Sequence, residues 1–140
     1  IVDTKGTLCW NNWEREKPLL ILMSEKTTRE YLAYLDSQNI SWIVCGKERI
    51  DLVRAAELLA EHFGVQRMAV VGGGAINAGF LDAGLLDEVS ILLAPGIDGR
   101  GGMAAAFDGL PLEREPFQLT LTGVQTYDDG AVWLRYTVNQ

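Results

Sequence analysis

The stretch Met68-Ala69-Val70-Val71-Gly72-Gly73-Gly74-Ala75-Ile76-Asn77 sets three consecutive glycines between an apolar run and a helical pattern. Residues without a Cβ let a ligand lie against the backbone. A helix starting there aims its unpaired N–H groups and the positive end of its dipole at that ligand. The chemistry this suits is anion binding, with a phosphate as the usual occupant. Spacing excludes two common versions. Asn77 stands where the third glycine of a GxGxxG fingerprint belongs, no acidic strand end follows at the ribose distance, and the Lys-Ser/Thr pair of a P-loop is missing. A tight strand-to-helix connection without a ligand is the structural alternative.

Ser24 closes another apolar run, with Lys26 and Arg29 close behind. Ligands of open α/β sheets bind outside the carboxyl ends of strands, so a hydroxyl and two cations could hold a second phosphate there. The alternative is a loop start with two solvated cations. Gly46 and Gly72 close two more expected strands, and the three ends could line one crevice. His62, the single histidine, falls near a helix C-terminus, where positive charge is favourable. With no GxSxG, no nucleophile-base constellation emerges. Cys9 and Cys45 are far apart and belong to no Cys/His cluster, so a metal site or disulfide framework is not expected.

Composition bounds the partners. A net charge of −7 with 12 scattered Lys and Arg argues against nucleic-acid binding and for a small-molecule ligand. With 140 residues and 48% hydrophobic content, one globular domain spanning 1–140 is expected. No run reaches the roughly 20 apolar residues of a membrane span, and there is no basic segment leading into an apolar leader, so the expected location is cytoplasmic.

The elements that must position these residues are strand-helix units. Ile1-Val2 reads as a strand end running into a turn at Thr4 to Gly6, and Trp10 and Trp13 are expected to pack a loop onto the body. Leu19 to Met23 suits a strand buried on both faces. Thr27 to Glu30 fits a capping box with Thr27 as N-cap, and the helix it starts offers Tyr31, Leu32 and Leu35 as its buried face before ending at Ser37 to Asn39. Ile40 to Gly46 is a second strand. Asp51 caps a helix over Leu52 to Phe63, with Leu52, Val53, Ala56, Leu59, Ala60 and Phe63 on one face and Gly64 as terminator. Strand Arg67 to Val71, the glycines and a helix over Ala75 to Ala83 make the third unit, stopped by Gly84. Val89 to Ala94 is a fourth strand, ended by Pro95 and the loop Gly96 to Gly102. Such alternation implies a largely parallel sheet with crossover helices. The tail differs: Phe117 to Thr122 and Val132 to Val138 alternate around the turn Asp128-Asp129-Gly130, a hairpin. The expected fold is α/β, a mixed, mostly parallel sheet flanked by helices and ending in an antiparallel hairpin.

Val70 to Leu81, followed by Ala83-Gly84-Leu85-Leu86-Asp87-Glu88-Val89 and Leu93-Ala94-Pro95, resembles the reductase domain of bifunctional riboflavin-biosynthesis proteins, the RibD C-terminal domain. Ile1 to Gly6, Leu22-Met23-Ser24, Tyr31 to Leu35 and Val132 to Tyr136 also look like that family. The resemblance implies a dihydrofolate-reductase-like fold and NADPH-dependent reduction of a ribosylamino-pyrimidine phosphate, as in 5-amino-6-(5-phosphoribosylamino)uracil reductase. It places Gly72, Gly73, Gly74, Ala75, Ile76 and Asn77 on the cofactor pyrophosphate and Ser24 on the 2′-phosphate side, and implies a cis peptide at the paired glycines. The family commonly carries Glu at the substrate-binding position held here by Val71, which leaves a pteridine or another pyrimidine open as acceptor. Its N-terminal portion, with a Ser-x-Asp-Gly type segment and further substrate contacts, has no counterpart, so an upstream segment is expected. No catalytic acid or base is assigned. A homodimer through the edge or face of the hairpin is expected, and a non-catalytic nucleotide-binding or dimerisation module is the alternative to an enzyme.

Overall fold

The computed structural model describes residues 1–11 and 18–139, and the chain divides into two compact units, Ile1–Met68 and Ala69–Gln140. Trp13 lies outside the described residues.

The first unit is built on β1 (Leu20–Met23), α1 (Arg29–Ser37), β2 (Ser41–Val44) and α2 (Leu52–Phe63). β1 and β2 pair in parallel, from Leu20 opposite Ser41 to Met23 opposite Val44. On the other side of β1, Val2 bridges Leu22, with Leu22 N–H donating to Ile1 O and Asp3 N–H to Leu22 O. The strand is therefore central, as its unbroken apolar sequence predicts. Ile21 and Met23 pack with Leu35 and Ile40 on the α1 side; Leu22 packs with Cys45 and Ala55 on the α2 side. Trp10 joins the first of these clusters, its indole N–H donating to the Tyr31 hydroxyl at 3.1 Å.

Two local expectations need correction. The N-cap of α1 is Thr28, whose hydroxyl accepts from Tyr31 N–H at 3.3 Å, so the helix begins one residue later than a box starting at Thr27 requires. Adjacent threonines offer the same capping chemistry, and the sequence does not rank them. The buried side of α2 centres on Ala55, with Leu58 and Leu59 packed beside it, whereas Val53 and Phe63 are exposed. Asp51 and Gly64 act as foreseen: the carboxylate accepts from Arg54 N–H at 3.0 Å, and Gly64 is left-handed at φ 64°.

The second unit comprises α3 (Gly74–Asp82), β3 (Glu88–Leu93), β4 (Leu119–Thr126) and β5 (Val132–Val138). The expected strand Arg67 to Val71 takes part in no ladder among the described residues. An apolar, β-branched run has strand propensity, but a strand exists only with a neighbour to pair, and among the described residues this one has none. β3 pairs antiparallel with β5, in the order β3-β5-β4, so among the described residues the parallel pairing is that of β1 with β2 and with Val2. The alternation of strands and helices predicts a parallel neighbour for β3; the neighbour it pairs with is the antiparallel C-terminal strand β5. The hairpin itself stands, with Gly130 at φ 85° in its turn and a register irregularity between Leu121 and Gly123.

Opposed residues of an antiparallel ladder share a face, which sets Val89, Tyr136 and Leu121 on one side together with Ile91, Leu134 and Val124. Leu81, Val89 and Val138 form the core of this unit, with Leu86, Phe107, Phe117 and Tyr136 against them. Further along the same face Leu93, Leu121 and Val124 are exposed.

Candidate functional site

The glycine turn lies wholly in the second unit. The Gly72–Gly73 peptide is cis, as the family resemblance implies, and Gly72 has φ 102°, a conformation that favours glycine. Gly73 is the N-cap of α3, where it can offer no side chain to the helix; its carbonyl accepts from Ile76 and Asn77 N–H at 2.9 and 3.0 Å. No side-chain cap bond is made there, and with Ile76 N–H taken by Gly73 O, the first-turn N–H groups open to a ligand are those of Gly74 and Ala75. A Cβ built at Gly73 would meet nothing within 4 Å. That open space beside bare backbone is the cradle a pyrophosphate needs, and the residues present fit such a group.

Val71, just before the turn, is 91% exposed. Ala75 is exposed and Ile76 half-buried, while Asn77 points back into the protein: its Nδ2 donates to Ala106 O at 2.7 Å. Asp108 N–H donates to Gly74 O at 3.2 Å, and a Cβ on Gly74 would run into the Ala105 carbonyl oxygen. The segment Ala105 to Asp108 thus packs against the turn. Sequence reasoning missed it, because a short run of alanines in a loop has neither period nor charge; its one signal is that three adjacent small residues allow a backbone to come close.

At the carboxyl ends of β1 and β2 in the first unit, Ser24 is fully buried. Its hydroxyl donates to Thr4 O at 2.6 Å and accepts from Lys26 N–H at 3.3 Å. Glu25 N–H donates to Gly46 O at 2.9 Å, tying the two loops together. Here the structure brings Ser24 and Gly46 to one end of a sheet, while Gly72 belongs to the second unit and closes no strand. The Ser24 hydroxyl shapes the loop from inside. Lys26, two residues further on, is exposed and paired to Glu48 at 2.8 Å, and Arg29 is the exposed first residue of α1.

The turn that supplies Thr4 O is fixed by Asp3, which sequence reasoning also passed over. This buried carboxylate accepts from Thr7 N–H at 2.8 Å, Leu8 N–H at 2.9 Å and the Tyr31 hydroxyl at 3.0 Å. Burial pushes its pKa up, but the Leu8 and Thr7 amides and Tyr31 outweigh that and hold it below the ordinary carboxylate value. Burial, aided by the bond to Asp3, raises the Tyr31 phenol against the lowering pull of Trp10.

An apolar cavity of about 210 Å³ opens at the other end of α3, between Leu81, Leu86, Phe117 and Val138, with Asp82 at its rim paired to Arg114. A helix C-terminus carries partial negative charge, so this is not a place for phosphate. Among the described residues no group of three His, Cys, Asp or Glu side chains could hold a metal ion, and no helix is long and apolar enough to cross a membrane.

The family model of the RibD C-terminal domain matches residues 1–133. A 2,5-diamino-6-ribosylamino-4(3H)-pyrimidinone 5′-phosphate reductase of Methanothermobacter thermautotrophicus is 31% identical over 124 residues, which cover 88% of this chain and 56% of that protein. The chain therefore spans about half the length of this curated relative. A pyrimidine reductase-like protein of Corynebacterium diphtheriae has the same fold, with a TM-score of 0.82 at 16% identity over 99% of this chain and 60% of that one. RibD of Acinetobacter baumannii superposes with a TM-score of 0.76 at 20% identity, covering 99% of this chain and 36% of its own. The fold is that of the dihydrofolate-reductase-like pyrimidine reductases, and the chain belongs to the RibD C-terminal domain family.

Proposed function

We propose that this chain is the cofactor-binding part of an NADPH-dependent reductase of riboflavin biosynthesis acting on a ribosylamino-pyrimidine phosphate. The observation that carries the proposal is the open glycine cradle at Gly73, set at the N-terminus of a helix that no side chain caps. Gly72 to Ile76 line the place for the pyrophosphate, with Asn77 behind them. In the first unit, the Ser24 loop with Lys26 and Arg29 carries the positive charge that the family resemblance assigns to the 2′-phosphate side, which distinguishes NADPH from NADH. NADPH held there would supply the hydride for reduction of the substrate's acceptor carbon. The chain's own contribution is position, since such transfer needs the reacting atoms held together and little acid-base machinery. Val71, exposed at the entrance to the turn, is the residue assigned to the substrate side. The exposed apolar stretch of the β3-β5-β4 face, at Leu93, Leu121 and Val124, suits a homodimer contact.

Loss of reduced-nicotinamide absorbance with a panel of pyrimidine and pteridine acceptors tests the activity in the intact protein. Turnover of a ribosylamino-pyrimidine phosphate, improved by Val71→Glu, is the expected outcome. Turnover of a pteridine alone would move the enzyme to another substrate class, and cofactor binding without any turnover would make the chain a binding module.

A further inference from the structure

The turn and the segment packed on it are joined by one long-range side-chain bond, from Asn77 Nδ2 to Ala106 O at 2.7 Å. The same carboxamide lies against Gly72, where a Cβ would come within 3.5 Å of Nδ2. Its Oδ1 is buried and has no hydrogen-bond partner. Two backbone contacts flank the bond, Asp108 N–H on Gly74 O and the Ala105 carbonyl against Gly74 Cα. Nothing apolar anchors Ala104 to Ala106, which are exposed. The segment is also bracketed by Gly102 and Gly109, both at positive φ. Phe107 seats the end of the segment against Leu81, Val89 and Val138, and among the described residues Asn77 supplies the side-chain hydrogen bond that holds the alanine backbone on the turn.

We infer that Asn77 is a positioning residue: it latches Ala105–Asp108 onto the glycine turn and so holds the turn in its ligand-binding shape. The inference rests on the cofactor assignment made above. It gives Asn77 a task different from touching the pyrophosphate, because its amide donor is already committed to Ala106. A backbone cradle binds well only if its N–H groups are ordered before the ligand arrives, since disorder in the free state is subtracted from affinity. Asn77→Ala removes the latch. Asn77→Asp keeps the shape and turns an acceptor towards the Ala106 carbonyl oxygen. Gly74→Ala attacks the same contact from the other side, through the Ala105 carbonyl.

The test pairs amide hydrogen exchange without cofactor, read at Asp108, with steady-state kinetics and NADPH titration of the intact protein. Asn77→Ala and Asn77→Asp are expected to speed exchange at Asp108, and to raise KM and Kd for NADPH about tenfold while kcat stays within about twofold. Gly74→Ala is expected to do the same. Simple loss of folded protein would lower kcat and leave KM alone. An unchanged KM and Kd for NADPH in both Asn77 variants, or unchanged exchange at Asp108, overturns the inference. Faster exchange in the variants of a protein that takes up no NADPH overturns the cofactor assignment and leaves the latch standing.

Discussion

The two candidate binding regions are built in opposite ways. The turn at Gly72 to Gly74 is defined by missing side chains: its backbone is open, its helix is uncapped, and one asparagine behind it holds a neighbouring segment in place. The loop at Ser24 is defined by buried side chains, with the serine hydroxyl and the Asp3 carboxylate satisfied internally and the cations outside. The difference is physical. A backbone cradle recognises shape and fails when volume is added, whereas a charged loop recognises a phosphate through a field that salt screens.

Gly73→Ala is the largest expected break. Gly73 has φ −66° and open space around its Cβ position, so alanine there fits the free protein. Its methyl group fills the room meant for the ligand. Thermal stability is expected to hold or to rise by about 0.5 kcal/mol, as for glycine replacements at permitted dihedrals. NADPH affinity is expected to fall tenfold or more, about 1.4 kcal/mol. Titration alongside a melting curve separates the two effects; equal affinity would mean that the cradle is only a tight connection.

Changing Lys26 and Arg29 to Ala tests the other half. NADPH affinity is expected to drop about fivefold with NADH affinity unchanged, and the effect should shrink at high salt, as for exposed charges. Isothermal titration of both nucleotides at two ionic strengths reads this. Ser24→Ala sharpens the contrast, because the two roles open to Ser24 have different signatures. A loop-shaping hydroxyl costs about 1 kcal/mol of folding stability when removed, with nucleotide preference nearly intact. A direct 2′-phosphate contact would cost NADPH affinity without that loss of stability. The geometry favours the first.

The smallest expected effect concerns pH. Asp3 has a lowered carboxyl pKa in the folded protein, so its contribution to stability is present above the ordinary carboxylate value and is lost as pH falls through the lowered one. Urea midpoints measured between pH 6 and about 3 should fall, and Asp3→Asn should flatten that slope. A slope unchanged by the substitution would remove Asp3 from the account of how the Ser24 loop is held.

Much of this was legible in the chain. Apolar runs bounded by good terminators gave β1, α2 and the hairpin, because burial and capping are local signals carried by Asp51, Gly64 and Gly130. The glycine turn was legible because nothing else explains three adjacent residues without a Cβ. Pairing was not. Whether Arg67 to Val71 finds a neighbour, and which strand lies beside β3, depends on contacts distant in sequence that no local pattern encodes. The commitment of Ser24 to Thr4, and of Asn77 to Ala106 29 positions away, was hidden for the same reason. A polar residue at the end of a strand reads as a ligand contact or as a strut, and only its partner decides.

The central claim is that the glycine turn binds a phosphorylated dinucleotide. Parallel titration of the intact protein with NADPH and NADH, in the native sequence and in Gly73→Ala, tests it most directly. The account expects NADPH to bind more tightly than NADH and both to weaken in the variant. Equal affinity for the two nucleotides, or binding indifferent to a methyl group at Gly73, would contradict it.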